Sequence, residues 1–165
     1  MKTLFLLRHA KSSWTDPQLS DFDRPLNERG RRTAPLMGGV MRDREYRPEV
    51  IISSPARRAN DTAMLVAGVL EQTESIQFEA GLYEADPQTL LSVVRTINDD
   101  NSSAMLVGHN PGTEGFLRLL TGKLEPMPTA SLAVIELRIE SWSDVSLGSG
   151  SLKEVIRPKE LSRPE

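Results

Sequence analysis

Short apolar runs alternate with longer amphipathic stretches along most of this chain. Strand-like runs lie at residues 3–7, 50–52 and 104–107, and each is followed by a segment with helical spacing of its apolar residues. Alternation of this kind is typical of a parallel or mostly parallel sheet with helices packed on its faces. We therefore predict an α/β fold, arranged as a three-layer α/β/α sandwich with a mostly parallel central sheet.

Polar residues and prolines mark the expected helix starts. Asn27 is a candidate cap for a helix that runs toward Arg42, because its side-chain oxygen can accept from an unpaired backbone N–H. Proline suits a first helical turn, since the N–H that it lacks would have no helical partner there. Three such starts are Ser54-Pro55, Asp86-Pro87 and Asn110-Pro111, and Gly122 is the expected stop of the last helix.

The C-terminal part of the chain has a different pattern. Residues 131–139 alternate and are rich in β-branched side chains, residues 148–150 form a Gly/Ser turn signal, and residues 152–156 are again strand-like. This pattern predicts a C-terminal hairpin whose strands are added to the sheet. We expect a single domain over residues 1–157 and a flexible tail over residues 158–165.

Composition excludes several classes of protein. The formal net charge of −3 argues against a broad face that contacts nucleic acid. The apolar run of residues 4–7 is too short for a signal peptide or a membrane span. The chain has no cysteine, which rules out thiolate metal sites and fits a reducing compartment. We therefore expect a cytoplasmic monomer with no nucleic-acid or membrane partner.

Both histidines of the chain directly follow strand-like runs. His9 follows the first run, after Arg8, and His109 follows the third. The carboxyl ends of parallel strands share one edge of a sheet, so the two rings can meet there. The second run leads into Arg57 and Arg58 in the first turn of a helix, where only one of the two should face a shared pocket because neighbours point about 100° apart.

Two imidazoles, two or more guanidiniums and helix N-termini describe an anion site. They make an incomplete ligand set for a metal, because carboxylates with ligand spacing are lacking. Taken singly, each histidine is more often a hydrogen-bonded residue at a strand end, and each arginine is more often a surface residue. Their joint placement at three strand ends favours the anion site.

Three motifs carry a resemblance to a known family. Leu7-Arg8-His9-Ala10 resembles the Arg-His-Gly signature of the histidine phosphatase superfamily, although Ala10 replaces the usual glycine. Ser54-Pro55-Ala56-Arg57-Arg58-Ala59 resembles its second-arginine motif, and Gly108-His109-Asn110 resembles its second histidine. Residues 21–30 and 127–130 are similar to the small SixA-type phosphohistidine phosphatase branch.

The resemblance implies roles for the residues of these motifs. His9 would be the nucleophile, attacking phosphorus with one ring nitrogen while a backbone hydrogen bond holds the other. Arg8, Arg58 and His109 would bind the phosphoryl oxygens, and the arginine charges would disfavour protonation of His9. In the family motif the functional arginine precedes alanine, which selects Arg58 and leaves Arg57 as an exposed neighbour. No metal or cofactor is implied.

The general acid and the substrate contacts are less well defined. Glu84 is the first candidate for the acid, and Asp21 is the second. Arg24, Asp21 and Asn110 are candidate substrate-binding residues, although Arg24 could instead form a salt bridge with Asp21 or Asp23. An imidazole leaves from phosphorus more easily than an alkoxide, so a poorly defined acid suits a phosphohistidine substrate.

The favoured function is hydrolysis of phosphohistidine, carried by a signalling protein, or of a small phosphorylated compound. A phosphoglycerate mutase-like phosphotransferase shares the motifs, but this short chain lacks the inserted segments that cap such substrates. A non-catalytic module that binds phosphate or phosphoprotein is a second alternative, which would not need a nucleophile. A metal-binding protein is the third.

Overall fold

The computed structural model describes residues 1–161, and residues 162–165 lie outside the described part. Six strands in this part form one mixed sheet in the order β3-β2-β4-β1-β5-β6. The first four of these run parallel, whereas β5 is antiparallel to β1 and β6 is antiparallel to β5. The strands are β1 Lys2–Arg8, β2 Val50–Ser53, β3 Ile76–Phe78, β4 Ser103–Gly108, β5 Leu132–Leu137 and β6 Gly150–Ile156.

Helices cover both faces of the sheet, as the alternating pattern predicts. Along β1, Phe5 and Leu7 join a core with α1 and α2, whereas Leu4 and Leu6 join a second core with α3 and α4. Because successive strand residues point to opposite faces, one strand supplies both cores, and the fold has three layers. The helices are α1 Glu28–Asp43, α2 Arg57–Leu70, α3 Pro87–Val94, α4 Gly112–Thr121 and α5 Pro158–Leu161.

Local sequence signals explain where most helices begin and end. The side chain of Asn27 accepts from the backbone N–H of Gly30 at 2.8 Å and caps α1, and Asp86 caps α3 in the same way. Gly122 ends α4 with a φ of 74°, in the left-handed region that glycine adopts easily. The helix expected from Pro55 begins two residues later at Arg57, because Ala56 still has extended backbone with a ψ of 139°.

Two features of the chain were not predicted. The short strand β3 pairs with β2 at the edge of the sheet and is largely exposed, so it lacks the apolar pattern of a buried strand. Residues Pro158–Leu161 form the short helix α5, and Leu161 packs against the core beside α1. The predicted tail begins at residue 158, and its remaining residues 162–165 lie outside the described part.

Three strands end side by side at the edge of the sheet that carries the motifs. Arg8 of β1 pairs with Gly108 of β4, and Ser53 of β2 pairs with Val107. The backbone N–H of His9 donates to the carbonyl of Gly108 at 3.0 Å, which continues this pairing past the strand end. The two histidines therefore start from adjacent strands. No helix within residues 1–161 has the length and apolar character needed to cross a membrane.

Candidate active site

The two histidine rings meet at this edge. The centroids of the His9 and His109 rings are 5.1 Å apart, and their planes are tilted by 53°. His9 follows β1 directly and His109 follows β4, so the parallel pairing of these strands fixes both backbones. The predicted convergence of the two imidazoles is therefore observed.

His9 is buried and held in one tautomer. The residue is only 7% exposed, and its Nδ1 lies 2.7 Å from the carbonyl oxygen of Ala10. A carbonyl oxygen can only accept, so Nδ1 of the neutral ring carries the proton and Nε2 carries a lone pair. The N–H of Ala10 donates in turn to Thr62 Oγ1 of α2 at 2.9 Å, which anchors this turn.

The His9 ring is neutral at physiological pH. Burial, which disfavours the charged ring, is the main cause that lowers the pKa of His9 to about 3. The hydrogen bond to Ala10 opposes this effect, while electrostatic coupling to the His109 ring and the positive charges of Arg58 and Arg8 add to it. The expected direction is confirmed, but burial contributes more than the arginine charges that the sequence suggested.

Arg58 and Arg57 face opposite environments. The Arg58 side chain is 7% exposed, whereas that of Arg57 is 57% exposed and pairs with Asp61 at 3.8 Å on the surface. Arg58 donates through Nη1 to the backbone carbonyl of Asp21 at 2.6 Å and through Nη2 to its carboxylate at 3.0 Å. The Nε of Arg58 is buried and has no hydrogen-bond partner in the described residues.

Arg8 is fixed by the loop that precedes β5. Its Nη1 donates to the carbonyl of Met127 at 3.1 Å, and its Nε is buried without a partner in residues 1–161. Burial lowers the pKa of the Arg8 guanidinium, and the charge of Glu114 opposes that shift. Asn110 donates to the same carbonyl of Met127 at 3.0 Å and also to Glu114. The amide of Asn110 thus ties the start of α4 to this loop, which leaves little of it for the predicted substrate contact.

His109 is half-buried beside Ser54. Its Nε2 lies 2.8 Å from Ser54 Oγ, and its Nδ1 is buried with no partner among the described residues. Burial lowers the pKa of His109 to about 4, with the charge of Arg58 as the next cause, while Asp21 opposes the shift. Both imidazoles of the site are consequently uncharged near pH 7.

Asp21 joins the two sides of the site. Its carboxylate accepts from Arg58, from Arg24 at 3.0 Å and from the hydroxyl of Tyr83 at 2.7 Å. The Tyr83 hydrogen bond is the largest cause that holds the pKa of Asp21 well below its usual range, and the two arginines add to it. A carboxylate this strongly ionised has no proton to give at neutral pH, which argues against Asp21 as the general acid.

Arg24 forms the salt bridge that the sequence left open as an alternative. It is buried, pairs with Asp21, and donates to Ser12 Oγ at 2.7 Å. The exposed ring of Trp14 lies over the guanidinium, 3.4 Å from its central carbon to the ring centroid. These contacts occupy Arg24 in holding the loop that carries Asp21.

Glu84 lies at the mouth of the site. A cleft of about 630 Å³ begins at Arg58, Tyr83 and His109 and continues toward α3 and α4, and Glu84 lines it. Glu84 is exposed and has a φ of 55°, in the left-handed region. Its role as proton donor stays a prediction.

Three residues that contact the site were not identified from the sequence. Ser54 contacts His109, Thr62 bridges Ala10 and the carbonyl of Arg58, and Tyr83 contacts Asp21. Ser54 belongs to the second-arginine motif and Tyr83 directly precedes Glu84, but neither position indicates the contact that the side chain makes. Residues 1–161 contain no group of three or more His, Asp or Glu side chains that could hold a metal ion.

Comparison with known proteins identifies the family. Residues 4–90 match the family described as the histidine phosphatase superfamily, branch 1. A chloroplastic protein of Arabidopsis thaliana is 30% identical over 158 residues, covering 90% of this chain and 72% of the relative. A Mycobacterium leprae protein is 30% identical over 159 residues, covering 88% and 96%. The function of neither relative is characterised. The chain belongs to the histidine phosphatase superfamily.

Within that family the chain resembles SixA. A crystal structure assigned as the phosphohistidine phosphatase SixA of Agrobacterium tumefaciens is 32% identical, with a TM-score of 0.82 over 95% of this chain and 98% of that one. The fold also matches a protein histidine phosphatase SixA complexed with tungstate, at 23% identity and a TM-score of 0.84 over 97% and 99% of the two chains.

Proposed function

We propose that this chain is a phosphatase that removes the phosphoryl group from phosphohistidine, or from a small phosphorylated compound, through a covalent intermediate on His9. Its relation to SixA favours a phosphohistidine carried by a protein as the substrate. The proposal includes a cytoplasmic location and a monomeric enzyme.

The unpaired buried nitrogens of the site carry this proposal. Arg8 Nε, Arg58 Nε and His109 Nδ1 are all buried without a hydrogen-bond partner in the described residues. An unmet buried polar group is costly, so three of them around one ring pair indicate a ligand that satisfies them. A phosphoryl group spreads its charge over three oxygens in the transition state, which matches this set.

The tautomer of His9 fits nucleophilic attack. With its proton held on Nδ1 by Ala10, the ring presents the Nε2 lone pair to phosphorus. A bond forms between Nε2 and phosphorus while the bond from phosphorus to the substrate nitrogen or oxygen breaks, and the electron pair leaves with that atom. Water then attacks the phosphorylated His9, which releases phosphate and restores the neutral ring.

The guanidiniums supply the positive charge that the transferred group requires. Arg58 is fixed by Asp21, and Arg8 by Met127, so neither has to reorganise when the substrate arrives. These side chains leave no step that calls for a metal ion. We therefore expect turnover to resist a chelator.

The protonation of the leaving group favours an N–P substrate. Asp21 is ionised and engaged, and Glu84 lies exposed at the cleft mouth, so neither of the two candidate acids is a buried proton donor. When the second ring nitrogen of phosphohistidine carries a proton, the imidazole leaves as a neutral molecule and needs no proton from the enzyme, whereas an alkoxide must be protonated as it leaves. Phosphohistidine should therefore react faster than an alkyl phosphate.

Hydrolysis of a phosphohistidine peptide and of an aryl phosphate, each with and without chelator, tests this proposal. The wild type should turn over both, His9→Ala should be inactive, and Arg57→Ala should keep most of the activity because Arg57 lies outside the site. Equal activity in His9→Ala would remove the nucleophile. Loss of activity on chelation would favour a metal-dependent reaction instead.

A further inference from the structure

We infer that Ser54 is a positioning residue that fixes the tautomer of His109, so that His109 Nδ1 presents a proton to the phosphoryl group. This inference rests on the proposed function and extends it to a residue outside the paired histidines and arginines. The two atoms that carry it are Ser54 Oγ and His109 Nε2, which lie 2.8 Å apart.

The hydrogen-bond partners of Ser54 decide the direction of this contact. Ser54 is fully buried, and its Oγ already accepts from the backbone N–H of Ala56 at 3.2 Å. A hydroxyl has one proton to donate, and the one acceptor that the described residues offer it is Nε2 of His109. If Nε2 donated instead, the hydroxyl proton would be buried without an acceptor, which is costly.

The same assignment accounts for the unpaired nitrogen of His109. When Nε2 accepts from Ser54, the proton of the neutral ring must sit on Nδ1, which is the buried nitrogen without a described partner. In the opposite tautomer Nδ1 would be a lone pair and would repel a phosphoryl oxygen. Only the tautomer set by Ser54 gives a third N–H donor beside Arg8 Nε and Arg58 Nε.

The two histidines thereby take opposite roles from one tautomer. Both rings carry their proton on Nδ1. In His9 the Nδ1–H donates to the carbonyl of Ala10, and the Nε2 lone pair is available to attack phosphorus. In His109 the Nε2 lone pair accepts from the hydroxyl of Ser54, and the Nδ1–H is available to donate to a phosphoryl oxygen. The lowered pKa of His109 keeps this neutral form populated at pH 7.

The position of Ser54 in the fold suits a rigid anchor. It follows β2 directly, and its backbone N–H donates to the carbonyl of Val107 on β4 at 2.9 Å. The strand that leads to His109 therefore also holds Ser54. Because both partners are tied to β4, their separation does not depend on a mobile loop.

Nitrogen-15 NMR of the imidazole rings at pH 7 tests the inference directly. The chain has two histidines, so the spectrum contains the signals of two imidazole rings. A His9→Gln variant shows which signals belong to His109. We expect the His109 proton on Nδ1 in the wild type and its redistribution toward Nε2 in Ser54→Ala. Ser151→Ala is the control, because Ser151 lies on β6 at the opposite end of the sheet from the two rings, and its hydroxyl accepts from Arg138 at 3.2 Å.

Kinetics should follow the spectrum. Ser54→Ala should lower kcat/KM about tenfold, which is less than the loss expected when an oxyanion donor is removed outright. Ser54→Thr keeps the hydroxyl and should restore both the rate and the tautomer. Ser151→Ala should change neither the rate nor the tautomer. A wild-type proton on Nε2, or an unchanged tautomer in Ser54→Ala, would overturn the inference. Since the ring spectrum needs no substrate, it separates this failure from a failure of the proposed hydrolysis.

Discussion

Asp21 engages both terminal nitrogens of Arg58, one through its backbone carbonyl at 2.6 Å and one through its carboxylate at 3.0 Å. The guanidinium is thus oriented before any substrate binds, with its Nε left unpaired within the described residues. The exposed loop that carries Asp21 is in turn held by Arg24 and Tyr83. The site is therefore built around a carboxylate that positions a cation.

Replacing Asp21 by asparagine should weaken catalysis through Arg58. The amide keeps the shape of the carboxylate but loses the charge that holds both guanidiniums, so we expect kcat/KM to fall about tenfold. The variant should retain the pH dependence of kcat, since an ionised Asp21 gives no proton. Loss of one limb of the pH profile in Asp21→Asn would instead make Asp21 the acid.

Arg58 and Arg57 provide a matched pair of substitutions. Arg58→Lys keeps the charge but removes the planar fork, and we expect kcat/KM to fall about 100-fold. Arg57→Lys should stay within about twofold of the wild type, because its surface ion pair with Asp61 contributes little. Steady-state kinetics of the two variants measure this contrast. Equal losses in both would contradict the assignment of Arg58 to the site.

Thr62 is expected to stabilise the turn that carries His9. Its hydroxyl accepts from Ala10 and donates to the carbonyl of Arg58 at 2.7 Å, and the residue is fully buried. Thr62→Val leaves the N–H of Ala10 unpaired, which should lower the free energy of unfolding by about 1–3 kcal/mol. Urea denaturation measures the change. Thr62→Ser keeps the hydroxyl and should lose less, so equal losses in Val and Ser variants would count against the hydrogen bond.

The neutral histidines should make stability fall in mild acid. Folding lowers the pKa of His9 to about 3 and that of His109 to about 4, so the unfolded chain takes up protons first as the pH falls below about 6.5. Their contribution is present above that value and is lost toward the folded pKa values. As the pH falls from about 6 to 4, each ring should lower the free energy of unfolding by about 1.4 kcal/mol per pH unit.

Urea denaturation across that window, in the wild type and in His9→Gln and His109→Gln, measures the slope. In each glutamine variant the slope of the free energy of unfolding against pH should be smaller by the contribution of one histidine, since glutamine does not titrate. Carboxylates that also titrate there are common to all three proteins and cancel in the comparison. An unchanged slope in both variants would mean that the rings are not held neutral by the fold.

The strand ends that carry His9 and His109 could be predicted because apolar runs and the parallel α/β pattern are local signals. Helix geometry predicted that only one of Arg57 and Arg58 faces the site, because consecutive helical residues point in different directions. The resemblance to the family motif then selected Arg58. The hydrogen bond between Ser54 and His109 could not be predicted, since it joins side chains 55 positions apart whose distance depends on the packed sheet.

Burial explains the remaining differences. The sequence indicates which charged residues lie near His9, but it does not indicate how deeply the His9 ring is buried. Burial is the main cause of the lowered pKa of His9. For the same reason the sequence could offer Asp21 as an acid, although three donors in the folded chain keep it ionised. Strand β3 was missed because two of its three residues are exposed.

Trapping the phosphorylated enzyme tests most directly whether His9 takes up the phosphoryl group. The wild type is mixed with a phosphohistidine peptide, quenched with alkali within the first turnover, digested and mapped by mass spectrometry. We expect a phosphoryl group on His9 that is stable to alkali and lost in acid, with the same label in Arg57→Ala. A label on any other residue, or none while phosphate is being released, would contradict a covalent intermediate on His9.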